Sequence, residues 1–329
     1  LFTHGRFATI ESGFGQLQHE WQGVLTEAPH IRLFRWADVE QFTQLFNQVN
    51  GISGTVKELD VELLTQTLAQ PSCQPESNCY VADSGGQLVG FALISAEVPI
   101  RRAVASGGVL ESHRQRGIGK TLVARAIDRS RALDVSALHI QTGHDSADAI
   151  QILEYYGFAR VREHWQMRWE AGELPPVRLP GGFELKPFRL GQDERALTEL
   201  QNAAFGDNWG FCPNSVEEIA ARVRIKGNVP DGILLITDGS TPAAYNWTHR
   251  NENSLGSVGF IGMTGVHPNF RGNGLGTAVV VAGLEYLRGE GITTVELEVD
   301  SENSPARELY LKLGFRRVQQ TVWYEKRLP

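Results

Sequence analysis

Cysteine is scarce in this 329-residue chain. There are three, Cys73, Cys79 and Cys212, an odd number and too few for a disulfide framework. Cys73 and Cys79 could pair, but two ordinary thiols in a reducing compartment are the expectation, and the three have no metal-ligand spacing. Basic excess is also lacking. With 31 Lys and Arg against 38 Asp and Glu the net charge is −7, which excludes the footprint of a general nucleic-acid binder. Only short clusters, Arg114 with Arg116 and Arg316 with Arg317, suit a single polyanionic ligand. Long apolar runs are missing as well. None approaches the roughly 18 residues of a membrane-spanning helix, and the N-terminal stretch lacks a basic-then-apolar signal pattern. A soluble, cytoplasmic protein is expected, with no nucleic acid, membrane or metal as partner.

What the chain does have is a repeat. Its length suggests about two domains at ~150 residues each, and 41% hydrophobic residues suffice for a core in both. Arg114-Gln115-Arg116-Gly117-Ile118-Gly119 recurs as Arg271-Gly272-Asn273-Gly274-Leu275-Gly276, an offset of 157 (271 minus 114). The same offset carries Gly157-Phe158 onto Gly314-Phe315 and Arg160-Val161 onto Arg317-Val318. Chance rarely keeps one register across about fifty residues, so a duplicated domain is expected. A Pro- and Gly-rich stretch, 171–182, disfavours helix and central strand and reads as the linker. The expected organisation is an extension at 1–30, a first domain at 31–170, the linker, and a second domain at 183–329. Within the extension, alternation over Gln16–Leu25 suits a strand.

Each half repeats one order of elements. Amphipathic helices are predicted over 37–49 and 58–70 in the first half, and over 192–204 and 215–226 in the second. Hairpins follow, Cys79–Ala82 with Leu88–Ile94 and Ile233–Thr237 with Ala243–Trp247, around Asp-Ser-Gly-Gly and Asp-Gly-Ser turns. A strand then runs into each glycine loop (103–110; 259–266). In the helix after the loop, Ile118, Leu122, Val123 and Ile127 match Leu275, Val279, Val280 and Leu284, an apolar face that packs on a sheet. A β run (Val135–Thr142; Ile292–Val299), a short helix, the Gly-Phe pair and a last strand complete each half. The order predicts an α/β fold with a mixed sheet covered on both faces.

The glycine loops fit neither common nucleotide motif. A P-loop needs glycine where Arg114 stands, and a dinucleotide fingerprint needs a third glycine where Thr277 stands. The physical purpose survives. Glycines at 274 and 276 leave backbone N–H groups open to a ligand, a helix N-terminus adds partial positive charge, and Arg271 adds a cation. A glycine-rich turn that merely caps a helix is the alternative, and recurrence at identical spacing argues against it.

Val266-His267-Pro268-Asn269-Phe270-Arg271-Gly272-Asn273-Gly274-Leu275-Gly276 resembles motif A (Gln/Arg-x-x-Gly-x-Gly/Ala) of the GCN5-related N-acetyltransferases, the GNAT family, which binds the pyrophosphate of acetyl-CoA. The segment Leu297–Phe315, with Asn303, Tyr310 and Gly314, is similar to the family's next segment. With the first half included, the resemblance covers about 290 residues. The tandem arrangement and Asn202-Ala203-Ala204-Phe205 resemble mycothiol synthases. The family implies two tandem GNAT-like domains, each with a partly splayed sheet whose fourth and fifth strands part around the cofactor's pantetheine arm. It implies acetyl-CoA contacts from Val266, Arg271, Gly272, Asn273, Gly274, Leu275, Gly276 and Asn303. In the first copy the matching positions are Val109, Arg114, Gln115, Arg116, Gly117, Ile118 and Gly119.

Acyl transfer from a thioester to an amine has three needs. The ammonium must lose a proton, the carbonyl oxygen needs hydrogen-bond donors, and the leaving thiolate must gain a proton. A tyrosine, pKa ~10, can serve as that last donor. The family keeps such a tyrosine where Tyr310 stands; the competing reading is a core anchor between Leu309 and Leu313. Glu298 lies twelve positions before Tyr310 (310 minus 298), as does the proposed base of the ribosomal-protein alanine acetyltransferases that this segment resembles. Glu296 shares its strand face, so periodicity does not choose between them, and a solvated or salt-bridged carboxylate is the alternative for Glu298. The mycothiol synthase resemblance implies a carboxylate on the strand leading into the loop, and Gly256–Val266 contains none. Subtracting 157 turns Tyr310 into Leu153, Glu298 into Gln141 and Asn303 into Ser146. Tyr155 and Tyr156 project from other helical faces, and His144 is a lone loop histidine. The second domain is therefore expected to be catalytic and the first not, though the first keeps the means to hold coenzyme A.

The family implies that the acceptor enters beside the first two helices of a domain. Phe205-Gly206-Asp207-Asn208-Trp209 joins those helices in the second copy, and Phe205, Asp207 and Trp209 could line a small-molecule pocket. A tryptophan folded into local core is the alternative. The expected activity is acetyl-CoA-dependent transfer of acetyl to a primary amine of a small molecule. The rivals are a mycothiol synthase-like enzyme specifically, and a coenzyme-A-binding regulatory protein without turnover.

Overall fold

The computed structural model describes residues 29–329 apart from 51–58, 71, 227, 229, 254 and 255. The extension up to residue 28, including the strand expected at Gln16–Leu25, lies outside the described residues. Along the chain come β1 (His30–Leu33), α1 (Val39–Asn50), α2 (Val61–Leu68), α3 (Pro75–Asn78), β2 (Cys79–Ser84), β3 (Gln87–Glu97), β4 (Arg102–Val109), α4 (Ile118–Ala132), β5 (Ala137–Gly143), α5 (Ala147–Tyr155) and β6 (Ala159–Glu170). The repeat follows as β7 (Phe183–Pro187), α6 (Glu194–Phe205), α7 (Val216–Arg222), β8 (Ile233–Asp238), β9 (Thr241–Asn253), β10 (Gly256–Val266), α8 (Leu275–Gly289), β11 (Thr294–Asp300), α9 (Ser304–Lys312) and β12 (Arg316–Arg327). From the glycine loop onward, α4 and α8, β5 and β11, α5 and α9, and β6 and β12 all keep the 157-residue offset at both ends (275 minus 118; 327 minus 170). The short strands β1 and β7 were not expected. Neither has a hairpin partner next to it in sequence; they pair with β2 and β8, well beyond the helical pair.

The chain folds into two compact units whose boundaries do not follow the repeat. One holds the described residues up to Leu64 with Cys73–Val161 and Val322–Pro329; the other holds Thr65–Ser72 and Arg162–Thr321. In the first unit the strand order is β1-β2-β3-β4-β5 followed by the end of β12, and in the second it is β6-β11-β10-β9-β8-β7. The last strand of each repeat thus completes the sheet begun by the other. Val322, Tyr324 and Leu328 pack with Leu138, Leu153 and Phe158 in the first core. Met167 and Trp169 pack with Val295, Leu297 and Phe315 in the second.

Each sheet is mixed: β4 with β5 and β10 with β11 are parallel, while β1 to β4, β6 with β11, and β7 to β10 are joined by antiparallel ladders. That parallel pair opens in both units. The β10–β11 ladder keeps only Val258↔Thr294, Gly259↔Val295 and Phe260↔Glu296, although both strands run on, to Val266 and Asp300. A bulge between Ile261 and Met263 on the β9 side adds local twist where the strands part. In the second unit α6 and α7 cover one face through Leu197, Leu200, Ile219 and Val223, packed on Tyr245 and Trp247. Helix α8 covers the opposite face through Leu275, Ala278 and Val279. Among the described residues no helix is long and apolar enough to cross a membrane. Cys73, Cys79 and Cys212 are free thiols, and burial pushes Cys73 up to about 11.

Candidate active site

Both glycine loops turn the same way into their helices. Gly117 (φ 81°, ψ −6°) and Gly274 (φ 76°, ψ 1°) are the N-caps of α4 and α8, in the left-handed conformation glycine adopts without penalty. Arg114 Nε donates to the Val109 carbonyl at 3.3 Å, and Arg271 Nε donates to that of Val266 at 3.4 Å, closing each loop onto the strand it leaves. Gly272 is also left-handed, at φ 82°, and its counterpart Gln115 keeps that conformation at φ 60° despite its side chain. A Cβ built on Gly117, Gly272 or Gly274 would meet nothing within 4 Å. The space outside these loops is therefore open, and the first-turn N–H groups of each helix, which have no intrahelical acceptors, face it. This cradle fits a pyrophosphate.

The remaining loop residues divide between holding and packing. Arg271 Nη2 donates to the Ala204 carbonyl at 2.9 Å, tying the loop to the last turn of α6. Asn273 Nδ2 donates to the Phe270 carbonyl, and Arg116 Nη2 to that of Ser112. Leu275 and Ile118 are buried and face the core. Gly276 and Gly119 have a packing reason to lack a side chain: a Cβ would lie 3.3 Å from Leu309 Cδ1 and 3.2 Å from Ile152 Cδ1.

Tyr310 projects from α9 towards the gap between β10 and β11. It is 8% exposed, packs edge-on against Phe315 at 5.6 Å, and shares a hydrogen bond with Thr264 of β10. Thr264 Oγ1 in turn accepts from Asn246 Nδ2 at 2.7 Å. Burial pushes the phenol up to about 12, only partly offset by the Thr264 hydrogen bond. Tyr310 is thus a core residue that also carries a buried, protonated hydroxyl. Asn303 caps the same helix, its Oδ1 accepting from Ala306 N at 3.2 Å. At the Tyr310 position the first unit has Leu153, which lines an apolar cavity with Val109, Leu122, Ala149 and Ile152. Tyr155 is 69% exposed under the ammonium of Lys120, so it does not replace the missing phenol.

Glu296 and Glu298 lie on the β11 face turned away from the α8–α9 core, and structure separates what periodicity left open. Glu296 is fully buried and held by Arg168 (Nη2 at 2.6 Å) and Gln166 (Nε2 at 2.9 Å), so it is an internal ion pair. Glu298 instead meets His164 of β6, its Oε1 lying 2.6 Å from Nδ1. His164 packs edge-on against Trp209 with centroids 6.4 Å apart, and Arg162 stacks over the same indole. The loop between α6 and α7 is thereby brought to Glu298. The other loop residues are not gathered there. Phe205 packs against Phe211 and the local core, and Asp207 is exposed. Asn202 fastens the loop, accepting from Asn214 N and donating to the Asn214 carbonyl, each at 2.9 Å.

His164 had escaped sequence reasoning. It lies 134 positions before Glu298, in the other repeat, and only the exchange of last strands brings the two together. Its two-residue spacing from Arg162 and Gln166 on a strand marks one shared face, but nothing local says which strand that face meets. Among the described residues, no three His, Cys, Asp or Glu side chains gather as metal ligands.

Comparison with known proteins agrees with this architecture. The acetyltransferase (GNAT) family matches the chain twice, over residues 39–158 and 195–315. A mycothiol acetyltransferase of Pseudarthrobacter chlorophenolicus is 36% identical over 246 residues, covering 73% of this chain and 75% of that protein. One from Stackebrandtia nassauensis is 34% identical over 298 residues, covering 89% and 95%. Among solved structures, a tandem GNAT protein from the clavulanic acid biosynthesis pathway superposes with a TM-score of 0.71 at 21% identity, covering 91% of this chain and 98% of that one. A GCN5-related N-acetyltransferase of Sphaerobacter thermophilus gives 0.69 at 21% identity, covering 92% and 97%. At that identity the last two speak for the fold alone.

Proposed function

This chain belongs to the GNAT acetyltransferase family, and we propose that its second unit carries the chemistry, with the free-amine precursor of mycothiol as acceptor. The protein is an acetyl-CoA-dependent N-acetyltransferase with two GNAT domains in tandem. The acceptor follows from the mycothiol acetyltransferases it resembles over most of its length. The choice of unit rests on one observation above others: a buried phenol, Tyr310, in the opening between β10 and β11, where the first unit has Leu153.

Acetyl-CoA supplies the thioester. The N–H groups of Gly272, Gly274 and the first turn of α8 hold its pyrophosphate, and Arg271 fixes the loop that presents them. Glu298 takes the proton of the acceptor ammonium, standing in for the carboxylate that β10 lacks. Tyr310 gives its proton to the departing thiolate. A phenol pushed up to about 12 stays protonated at neutral pH. In water a thiolate of pKa ~8.5 would be a poor match for it, but the desolvation that raises the phenol also raises a thiol formed beside it. The first unit retains the cradle without the acid or the carboxylate, so it holds coenzyme A without turnover.

The test is a competition among amines: de-acetylated mycothiol, an amino acid, a polyamine and a peptide N-terminus. Turnover is followed as loss of the thioester, because the expected acceptor carries its own thiol. De-acetylated mycothiol should give the highest kcat/KM by at least tenfold. A different amine leading by that margin would overturn the acceptor, and no turnover with any amine would overturn the assignment of chemistry to the second unit.

A further inference from the structure

Three carboxylates share one face of β11, and their partners differ in kind. Glu296 is held by Arg168, Asp300 faces Arg162 at 3.6 Å, and Glu298 between them meets His164 at 2.6 Å. A guanidinium is a fixed charge that neither accepts nor releases a proton in water, whereas an imidazole does both near neutrality. The two outer carboxylates are thereby locked as structural anions, and the middle one is joined to a group that can exchange protons. We propose that His164 is a positioning residue that orients Glu298, donating its Nδ1–H to the carboxylate that takes the proton of the acceptor ammonium. The base is then a carboxylate–imidazole pair, an inference resting on the reading of Glu298 above.

The surroundings hold this geometry. The two side chains are 19% and 16% exposed, so the contact is shielded without being cut off from water. Trp209, from the loop between α6 and α7, borders the ring edge-on. Charged groups near it include Glu298 and Asp300 on β11, the latter directly opposite, and Arg162 two positions away on its own strand. Arg162 is engaged by Asp300 and Glu302 and stacked on Trp209, which draws its charge away from the pair. The equivalent positions in the repeat carry neither member. Gln141 stands for Glu298 (298 minus 157) and Thr321 for His164 (164 plus 157).

The proton balance is simple. The ammonium N–H bond breaks, its electron pair becomes the nucleophile, and the proton lands on a Glu298 oxygen. The Nδ1–H of His164 keeps donating to the carboxylate across the 2.6 Å contact, and the proton leaves Glu298 to water after the amide product departs. When the other ring nitrogen, Nε2, also takes a proton, the imidazolium holds Glu298 in an ion pair and weakens it as a base, which is what ties the acid limb of the rate to this pair.

The experiment uses the full chain with saturating acetyl-CoA and the best amine of the competition above. His164→Ala should lower kcat on the order of 10²-fold, as for a misaligned reacting group, with acetyl-CoA KM unchanged. The acid limb of kcat/KM should move to lower pH. His164→Asn keeps a donor at the Nδ1 position and should recover most of the rate on the high-pH plateau, with the acid limb still displaced. Wild-type kcat and pH profile in His164→Ala would overturn the pair, as would an acid limb left in place in both variants. Glu298→Gln separates the two readings. If it is inactive while His164→Ala is normal, only the pair fails; if it is fully active, the assignment of Glu298 as base fails first.

Discussion

Gly117 and Gly274 open α4 and α8 with φ angles of 81° and 76°, and Arg114 and Arg271 tether the two loops to the same backbone position. One helix further on the likeness ends. The second unit sets a phenol towards its strand gap and joins Glu298 to His164; the first sets Leu153 on an apolar cavity. On the proposed assignment, the comparison separates binding from chemistry, which fall on different parts of this fold. A cradle made of backbone N–H groups depends on conformation, which many side-chain changes leave intact. Proton transfer depends on single atoms, and one substitution removes it.

The sharpest way to break the comparison is to erase the difference. Tyr310→Phe removes only the hydroxyl and should lower kcat about 10²–10⁴-fold, the range for one acid–base group, with acetyl-CoA affinity unchanged by calorimetry. Tyr155→Phe and Tyr156→Phe should stay within a small factor of wild type. If either inactivated the enzyme while Tyr310→Phe worked, the units would have been assigned the wrong way round. Leu153→Tyr should not activate the first unit, because Gln141 still stands where the carboxylate is needed.

Next in size is loss of the second cradle. Gly274→Val places a branched side chain at φ 76° and into the space before the helix, so it should abolish turnover and binding in that unit. One equivalent of coenzyme A should remain, bound by the first unit. Complete loss of binding in a folded protein would reduce residues 114–119 to a helix cap.

The units should also fail at opposite ends of the pH scale. In the first, burial and then the charge of Arg102 hold His139 down to about 4, although Glu325 lies 3.2 Å away. The unfolded chain takes this proton near 6.5 and the folded unit only near 4. The stability it contributes is present above 6.5 and lost as pH falls towards 4, on the order of 3 kcal/mol at most. In the second unit Tyr310 is raised from its ordinary 10 to about 12, so its contribution is present below 10 and lost as pH rises through 12. Hydrogen exchange read separately for each unit against pH checks both. His139→Gln should flatten the acid slope of the first unit only; an unchanged slope would remove His139 as its cause.

The smallest effect concerns the loops. Gln115 holds φ 60° where the second loop has Gly272. Gln115→Gly should relieve about 1 kcal/mol of left-handed strain, partly offset by greater freedom of the unfolded chain, and Gly272→Gln should cost a similar amount. Thermal unfolding of the two variants measures the difference. Equal stability in both would mean that the two loops do not demand the same conformation.

Much was legible before any coordinates. The helices predicted over 37–49 and 192–204 are observed at Val39–Asn50 and Glu194–Phe205, and the hairpins fall where their Asp-Gly-type turns put them. These features are local: an amphipathic period, a cap or a turn is specified by residues a few positions apart. The duplication, the glycine loops and the asymmetry between Leu153 and Tyr310 needed nothing beyond one offset.

Strand partnership was not local. Exchange of β6 and β12 is specified by pairs far apart in sequence, Glu296 with Arg168 and His139 with Glu325. Without the exchange Glu325 would oppose Glu296, and like charges directly across adjacent strands are destabilising. By itself, then, the sequence determined the repeated elements, the two glycine loops and the tyrosine proposed as the acid, because hydrogen bonds within a helix or turn and a constant register are short-range facts. The tertiary structure alone decided which strand lies beside β11, and so which carboxylate is an inert ion pair and which meets an imidazole, because cross-strand contacts exist only once distant segments are brought within a few ångströms.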